Sequence, residues 1–288
     1  MPEVSIDGRR LFFEVHGAGE DRPRMIAMGG WGTFCHGRLG DLPRAVVADF
    51  EVVVFDYRGL GESDDRPEAE ASTRSYADDV AALLDHLGGG PVHVLGMVGM
   101  GACVGQELAI RRPDLVRSLF QTGSWAYADP ALTDQLTMMR RVHQELGFEA
   151  FQMLCASLSF TPAFYDRHRD RLLGPDGAWG DLVGRADAHA RLVAACLDHD
   201  TRDRLDQVRV PCFVLHAGRD PITTVDHTGL LADLLPGCRT ETWADTSHVI
   251  AGKEQKLRLD ALLRSFYDDL VAVPAPEVAA AAHRASEV

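Results

Sequence analysis

The stretch Pro91–Arg112, PVHVLGMVGMGACVGQELAIRR, decides the fold. Its first half, Pro91–Met97, is apolar and β-branched, as in a strand buried on both faces. Glycines follow at 96, 99 and 101, and then a helical run extends to about Arg112. A strand, a glycine turn and a helix in direct succession form the βα unit of a parallel sheet.

Working outward, the same alternation recurs. Val4–Ile6 and Leu11–His16 read as a hairpin closed by Asp7-Gly8, a favoured two-residue turn. Met25–Met28 is a short strand entering Gly29-Gly30-Trp31-Gly32, and Glu51–Asp56 (EVVVFD) is a second buried strand. Tyr76, Val80, Leu83, Leu84 and Leu87 fall at helical spacing, with Gly88 as the stop. Val116–Thr122, Pro211–Gly218 and Arg239–Trp243 read as further strands, and Leu259, Leu262, Leu263, Phe266 and Leu270 mark a last amphipathic helix. The pattern predicts an α/β fold with a mostly parallel central sheet flanked by helices. The alternation breaks between about Tyr127 and Asp206. There Leu132–Leu146, Phe151–Leu158 and Leu182–Leu197 are helical and no buried strand is evident. The expected organisation is therefore a core over 1–126 and 207–272, a helical cap over 127–206, and a disordered Ala/Pro-rich tail over 273–288.

The chain has 288 residues, ample for a large core, and 46% of them are hydrophobic. Its 29 basic and 43 acidic residues leave a formal charge of −14, which argues against nucleic acid or an anionic membrane as partner. The basic residues are 27 Arg and only two Lys, Lys253 and Lys256, a skew associated with GC-rich bacterial genomes. Six scattered cysteines form no C-x-x-C pair and are expected to be buried thiols. The start of the chain has no charged-then-apolar leader, and no apolar run reaches membrane-spanning length. The expectation is a cytoplasmic protein acting on a small molecule, without cofactor or metal. A homodimer is the default by base rate.

Three segments together resemble the α/β-hydrolase family: the loop Asp56-Tyr57-Arg58-Gly59-Leu60-Gly61-Glu62-Ser63-Asp64, the triplet Gly218-Arg219-Asp220, and Thr246-Ser247-His248. The resemblance spans about Val4 to Leu270. It implies an α/β-hydrolase fold with Asp220 as the triad acid and His248 as the triad histidine, in the family's chain order. Within the family, Phe160-Thr161-Pro162-Ala163-Phe164 and Val104-Gly105-Gln106 resemble 3-oxoadipate enol-lactonases among the capped ester, enol-lactone and C–C-bond hydrolases.

That resemblance requires a nucleophile at a G-x-S-x-G elbow after Pro91–Met97. This turn reads Gly96-Met97-Val98-Gly99-Met100-Gly101-Ala102 and contains no Ser, Cys or Asp. Counting back from the helix puts the nucleophile position at Gly99; counting forward from the strand puts it at Val98. Gly99 is favoured, because a β-branched residue resists a left-handed turn. A dinucleotide-binding reading fails for two reasons: Val104 stands where a third glycine is needed, and no acidic residue ends the next strand. The family's His-Gly after the third strand is replaced by Gly29-Gly30-Trp31. Backbone N–H groups of Gly30 or Trp31 and of Met100 still suit an oxyanion hole, because backbone donors do not depend on side-chain identity.

Removing the serine of a serine hydrolase costs on the order of 10⁶ in turnover and leaves roughly 10³–10⁴ over water. A positioned base contributes about 10²–10⁴. The sequence therefore excludes an ordinary serine esterase. It favours a His248–Asp220 dyad acting as general base on a small carbonyl or enol-type substrate. Water-activated hydrolysis fits, as do decarboxylation, elimination, isomerisation, cyclisation and cofactor-free oxygenation. A catalytically inactive binding protein is the second reading, since a branch of the family with a Gly-rich elbow is regarded as non-catalytic. A hydrolase with a relocated nucleophile is the third, with Ser124 or Cys35 beside His36 as the positions to check. Trp31, Ser124, Trp125, Tyr127, Phe160 and Phe164 are expected to line the pocket, and Arg167, Arg169 and Arg171 offer a cation for a carboxylate. Cys103 is expected in the core. Cys196 and His199 have C-x-x-H spacing but no second pair for zinc. Arg58 and Asp64 read as structural, and His16, His86 and His93 as surface or strand-end residues.

Overall fold

The computed structural model describes residues 3–19 and 21–271; the tail at 273–288 lies outside the described residues. Its centre is an eight-stranded sheet in the order β1-β2-β4-β3-β5-β6-β7-β8. The strands are β1 (Glu3–Ile6), β2 (Arg9–His16), β3 (Arg24–Met28), β4 (Glu51–Phe55), β5 (Val92–Met97), β6 (Val116–Thr122), β7 (Cys212–Ala217) and β8 (Arg239–Trp243). Only the β1–β2 and β2–β4 pairings are antiparallel; β4 through β8 run parallel. The β1–β2 turn is Asp7-Gly8, both with positive φ, as a two-residue hairpin turn of this hand requires.

The alternating faces of the strands build two cores. Met25, Ala27, Val52, Val54 and Leu95 pack with α1 (Arg44–Asp49) and α9 (Lys253–Val271) on one side. Ile26, Met28, Val53 and Val94 pack with α2 (Thr73–His86), α3 (Met100–Arg111) and α8 (Val225–Leu234) on the other. Burial on both faces explains why the strands read as continuous apolar runs. A capping box between Ser72 and Ser75 starts α2.

Between β6 and β7 the chain makes four helices: α4 (Pro130–Leu146), α5 (Phe148–Ser159), α6 (Pro162–Leu172) and α7 (Ala186–Asp198). The two ends of this insertion meet. Tyr127 and Asp200 form an antiparallel bridge, and the Thr201 N–H donates to the Ala126 carbonyl at 2.9 Å. Five of the six cysteines are buried and none is paired. No described helix is long and apolar enough to cross a membrane. His93 is the second residue of β5, at the strand end, and is buried rather than on the surface: it is 3% exposed, with Nδ1 2.8 Å from the Ser118 hydroxyl.

Candidate active site

The loops at the carboxyl ends of β3, β5 and β6, the segment before α9, and helices α5 and α6 enclose a cavity of about 910 Å³. Gly30, Trp31, Val98, Gly99, Met100, Trp125, Phe160, Phe164 and His248 all line it. Phe160 and Phe164 stack at 5.4 Å, and Trp31 rests edge-on against His189 at 4.7 Å.

Asp220 follows β7 and His248 follows β8, and the fold brings them together. His248 Nδ1 lies 2.7 Å from Asp220 Oδ2. The carboxylate is tightly held: Oδ1 accepts the N–H groups of Ile222 (2.8 Å) and Thr223 (2.9 Å), and Oδ2 also accepts the Thr223 hydroxyl (2.6 Å). Burial pushes the Asp220 pKa up, but the neighbouring His248 charge and these hydrogen bonds outweigh it and hold the carboxyl below its usual value. Asp220 therefore stays ionised and fixes the ring, leaving the other nitrogen for proton transfer. Thr223 has no sequence signal of its own beyond standing three residues after the acid.

The histidine ring lies against the elbow. A Cβ built on Gly123 would fall 3.1 Å from His248 Cε1 and 3.4 Å from the Val98 Cα. Gly123 itself has φ +56° and turns the chain directly after β6. At the elbow, Val98 has φ 62° and Gly99 has φ 67° and ψ −112°, and Gly99 caps α3. The expectation that Val98 would avoid this region is corrected: both residues are left-handed. Two hydrogen bonds impose this, from the Val98 N–H to the Thr122 carbonyl (3.1 Å) and from the Gly99 N–H to the Gly123 carbonyl (2.7 Å). Such strain costs of order 1–3 kcal/mol and persists only where the surroundings dictate it.

The two registers also find their explanation here. Glycines that no side chain can replace are Gly96, whose Cβ would meet the Ala102 Cα at 2.5 Å, and Gly101, whose Cβ would meet the Gly29 carbonyl oxygen at 2.5 Å. They stand five residues apart, whereas the family's pattern spaces its glycines four apart. Counting from the strand and counting from the helix therefore disagree by one. A Cβ at Gly99 would make ordinary contact with the Trp125 ring at 3.4 Å, so position 99 is open on the cavity side.

The N–H groups of Gly30, Trp31 and Met100 have no backbone acceptor among the described residues. They remain available to an oxygen in the cavity. The alternative nucleophiles are not brought to this place. Ser124 is fully buried, its hydroxyl has no partner, and it does not line the cavity. Tyr127 is also off the wall, under the Arg202 guanidinium at 3.9 Å. Cys35 is buried beside Asp56, and burial pushes its thiol far up. Its neighbour His36 binds Asp56 Oδ2 at 2.7 Å. Cys103 is core, and both ring nitrogens of His199 are engaged, by Thr73 (2.8 Å) and Gln106 (3.1 Å). Arg58 pairs with Asp79 at 2.8 Å, and Asp64 accepts the Arg10 N–H at 3.0 Å, so both brace the Asp56–Asp64 loop.

Known proteins share this fold. A curated relative from Azorhizobium caulinodans, provisionally named carbamate hydrolase RutD, is 28% identical over 239 residues, covering 83% of this chain and 88% of its own. The enol-lactonase of Burkholderia xenovorans superposes with a TM-score of 0.77 at 21% identity, covering 94% of this chain and all of its own. An α/β hydrolase from a deep-sea metagenome, MGS-M2, superposes with a TM-score of 0.83 at 17% identity, covering 93% and 97%. The family model for the alpha/beta hydrolase fold matches residues 27–254, and the chain belongs to that family.

Proposed function

We propose that this protein is an α/β-hydrolase-fold enzyme that uses His248, held by Asp220, as a general base on water, without a covalent step at the elbow. The substrate is a small molecule with an activated carbonyl, of the carbamate or enol-lactone kind, bound under the helical insertion acting as a cap. The observation that carries this reading is the 2.7 Å His248–Asp220 pair set against an elbow with no side chain at position 99. The names of the relatives, carbamate hydrolase and enol-lactonase, point to the same class of reaction.

In this mechanism a water beside Gly99 attacks the carbonyl carbon, and His248 takes its proton. The developing oxyanion faces the N–H groups of Met100 and of Gly30 or Trp31. Collapse expels the leaving group, which receives the proton from the imidazolium. Asp220 stays ionised throughout and stabilises that cation. The absent serine limits the enzyme to reactive carbonyls, for which a base contributes about 10²–10⁴.

The test is hydrolysis of a small activated ester, an aryl carbamate and an enol-lactone by wild type, His248→Ala and Gly99→Ser. Wild type should exceed His248→Ala by about 10²–10⁴ on at least one substrate. It should show no acyl adduct by mass spectrometry, whereas Gly99→Ser should acquire one. Equal inertness of wild type and His248→Ala on all three sinks the reading. A wild-type adduct sinks its non-covalent part. A second reading, a binding protein on this scaffold, is favoured by the elbow alone, and equal inertness would promote it.

A further inference from the structure

The exposed mouth of the cavity carries a set of cations that the proposed chemistry does not use. Helix α6 places Phe164, Arg167, His168 and Arg171 on one face, at the i, i+3, i+4, i+7 spacing that stacks side chains along a helix. All four line the cavity. Helix α9 opens with Lys253 and, one turn on, Lys256; these are the only lysines in the chain, and both line the same cavity. The two faces are neighbours: a Cβ on Gly252 would touch the Phe164 ring at 3.8 Å. Among the described residues, the side chains of Arg167, Arg171, Lys253 and Lys256 make no ion pair or hydrogen bond. Elsewhere most arginines are paired, as Arg112 is with Asp85 and Asp114 and Arg204 with Glu107. Asp41, Asp176 and Asp181 line the same cavity, but Asp41 and Asp181 face Arg38 at 4.0 and 3.6 Å, so four cations from two elements stand there against one carboxylate, Asp176, without an ion-pair partner among the described residues. Phe160, Phe164 and Trp179 supply an aromatic part of the same lining.

We infer that this mouth is an anion subsite, which takes the carboxylate of a substrate whose apolar body lies against Phe160, Phe164 and Trp179 and whose reacting carbon reaches the elbow. This rests on the cavity being the substrate site. It adds the substrate's charge and its direction of entry. Only four residues separate His248 from Lys253, so one short segment carries both the base and half of the subsite. The exposed cations also draw anions toward the opening from a distance, an effect that salt screens.

Binding, read without turnover, tests this. Trp31, Trp125 and Trp179 line the cavity, so tryptophan fluorescence follows its occupancy. The probes are phenylacetate, 3-phenylpropionate, 4-phenylbutyrate and 5-phenylvalerate, each beside its neutral primary amide, at low and high sodium chloride. At low salt at least one acid should bind about tenfold tighter than its amide, as several convergent ion pairs permit. High salt should shrink the preference, as should Lys253→Gln/Lys256→Gln and Arg167→Gln/Arg171→Gln. Arg169→Gln, which removes the same charge from α6 away from the cavity, should leave it intact. The inference is overturned if no acid in the series outbinds its amide. Survival of the preference in both double variants, or an equal loss in Arg169→Gln, overturns it too. An acid preference retained in a protein that hydrolyses nothing would break the hydrolytic reading and leave the subsite standing.

Discussion

The two halves of the site are built in opposite ways. The acid–histidine half is made of side chains: Asp220, Thr223 and His248 hold one another through contacts of 2.6 to 2.7 Å. The elbow half is made of backbone: Gly96 and Gly101 let β5, α3 and the end of β3 close together, and position 99 contributes no functional group. A turn maintained by backbone packing can lose its side chain and keep its shape. A dyad maintained by side chains cannot lose one member and keep its chemistry. Under the proposed mechanism, the difference makes oxyanion donors and base separable from the nucleophile, and each half should therefore fail differently.

The largest effect is expected on the side-chain half. Asp220→Asn should lower turnover by roughly 10³–10⁴ with little change in fold, because the ring loses the partner that fixes its tautomer and charge. Steady-state kinetics beside circular dichroism check this, and a loss under tenfold would contradict the role. The backbone half should fail by unfolding instead. Gly101→Ala drives a methyl group into the carbonyls of Met28 and Gly29. It should cost roughly 3 kcal/mol or more in urea denaturation, or abolish soluble expression.

Acid should separate the halves further. Burial depresses three imidazoles remote from the dyad: His93 to about 4, His189 to about 3 and His199 to about 4. The unfolded chain binds protons at these groups below about 6.5, whereas the folded one does not until about 4, or about 3 for His189. Stability is therefore complete above the unfolded value and is lost as pH falls through that window, at up to about 1.4 kcal/mol per proton per pH unit. Asp220 has the same sign of effect in a more acidic window. Its lowered pKa keeps its contribution in place above the unfolded value of 3.8, and that contribution is lost only as pH falls through the still lower folded value. Urea midpoints at pH 7, 6 and 5 should drop steeply, and a flat series would contradict the burial argument.

The smallest effect is Val98→Gly. Relief of left-handed strain, about 1–3 kcal/mol, opposes the roughly 0.5–1 kcal/mol of backbone entropy and the lost packing. The net change should stay within about 1 kcal/mol, whereas a buried strand valine such as Val53 changed to glycine should cost several times more.

Much of this was legible in the sequence. Val116–Thr122 ends where β6 ends, the buried strands β4 and β5 differ from expectation by one residue and β7 by one at each end, because runs apolar on both faces leave no other reading. Asp220 and His248 were legible from their loops. Helix α6 was not, because Tyr165–Arg171 is so charged that the apolar periodicity disappears; that charge turns out to face the cavity in part. Helix α8, with a weak apolar pattern, was missed for the same reason. Ser124 was misplaced because strand alternation does not extend past Gly123, where positive φ turns the chain away. Val98 was misjudged because local preference was weighed without the two carbonyls at Thr122 and Gly123 that overrule it.

The bridge between Tyr127 and Asp200 has a consequence for descent. The four helices leave the sheet and return to it at one stem, so their sequence can drift, shorten or be exchanged while the strands on either side keep their register. The insertion supplies Phe160, Phe164 and Arg167; the strand loops supply Gly99, Asp220 and His248. On the proposed reading, what the molecule admits and what it does to it are thus inherited on different pieces of chain, and selection can alter the first without disturbing the second.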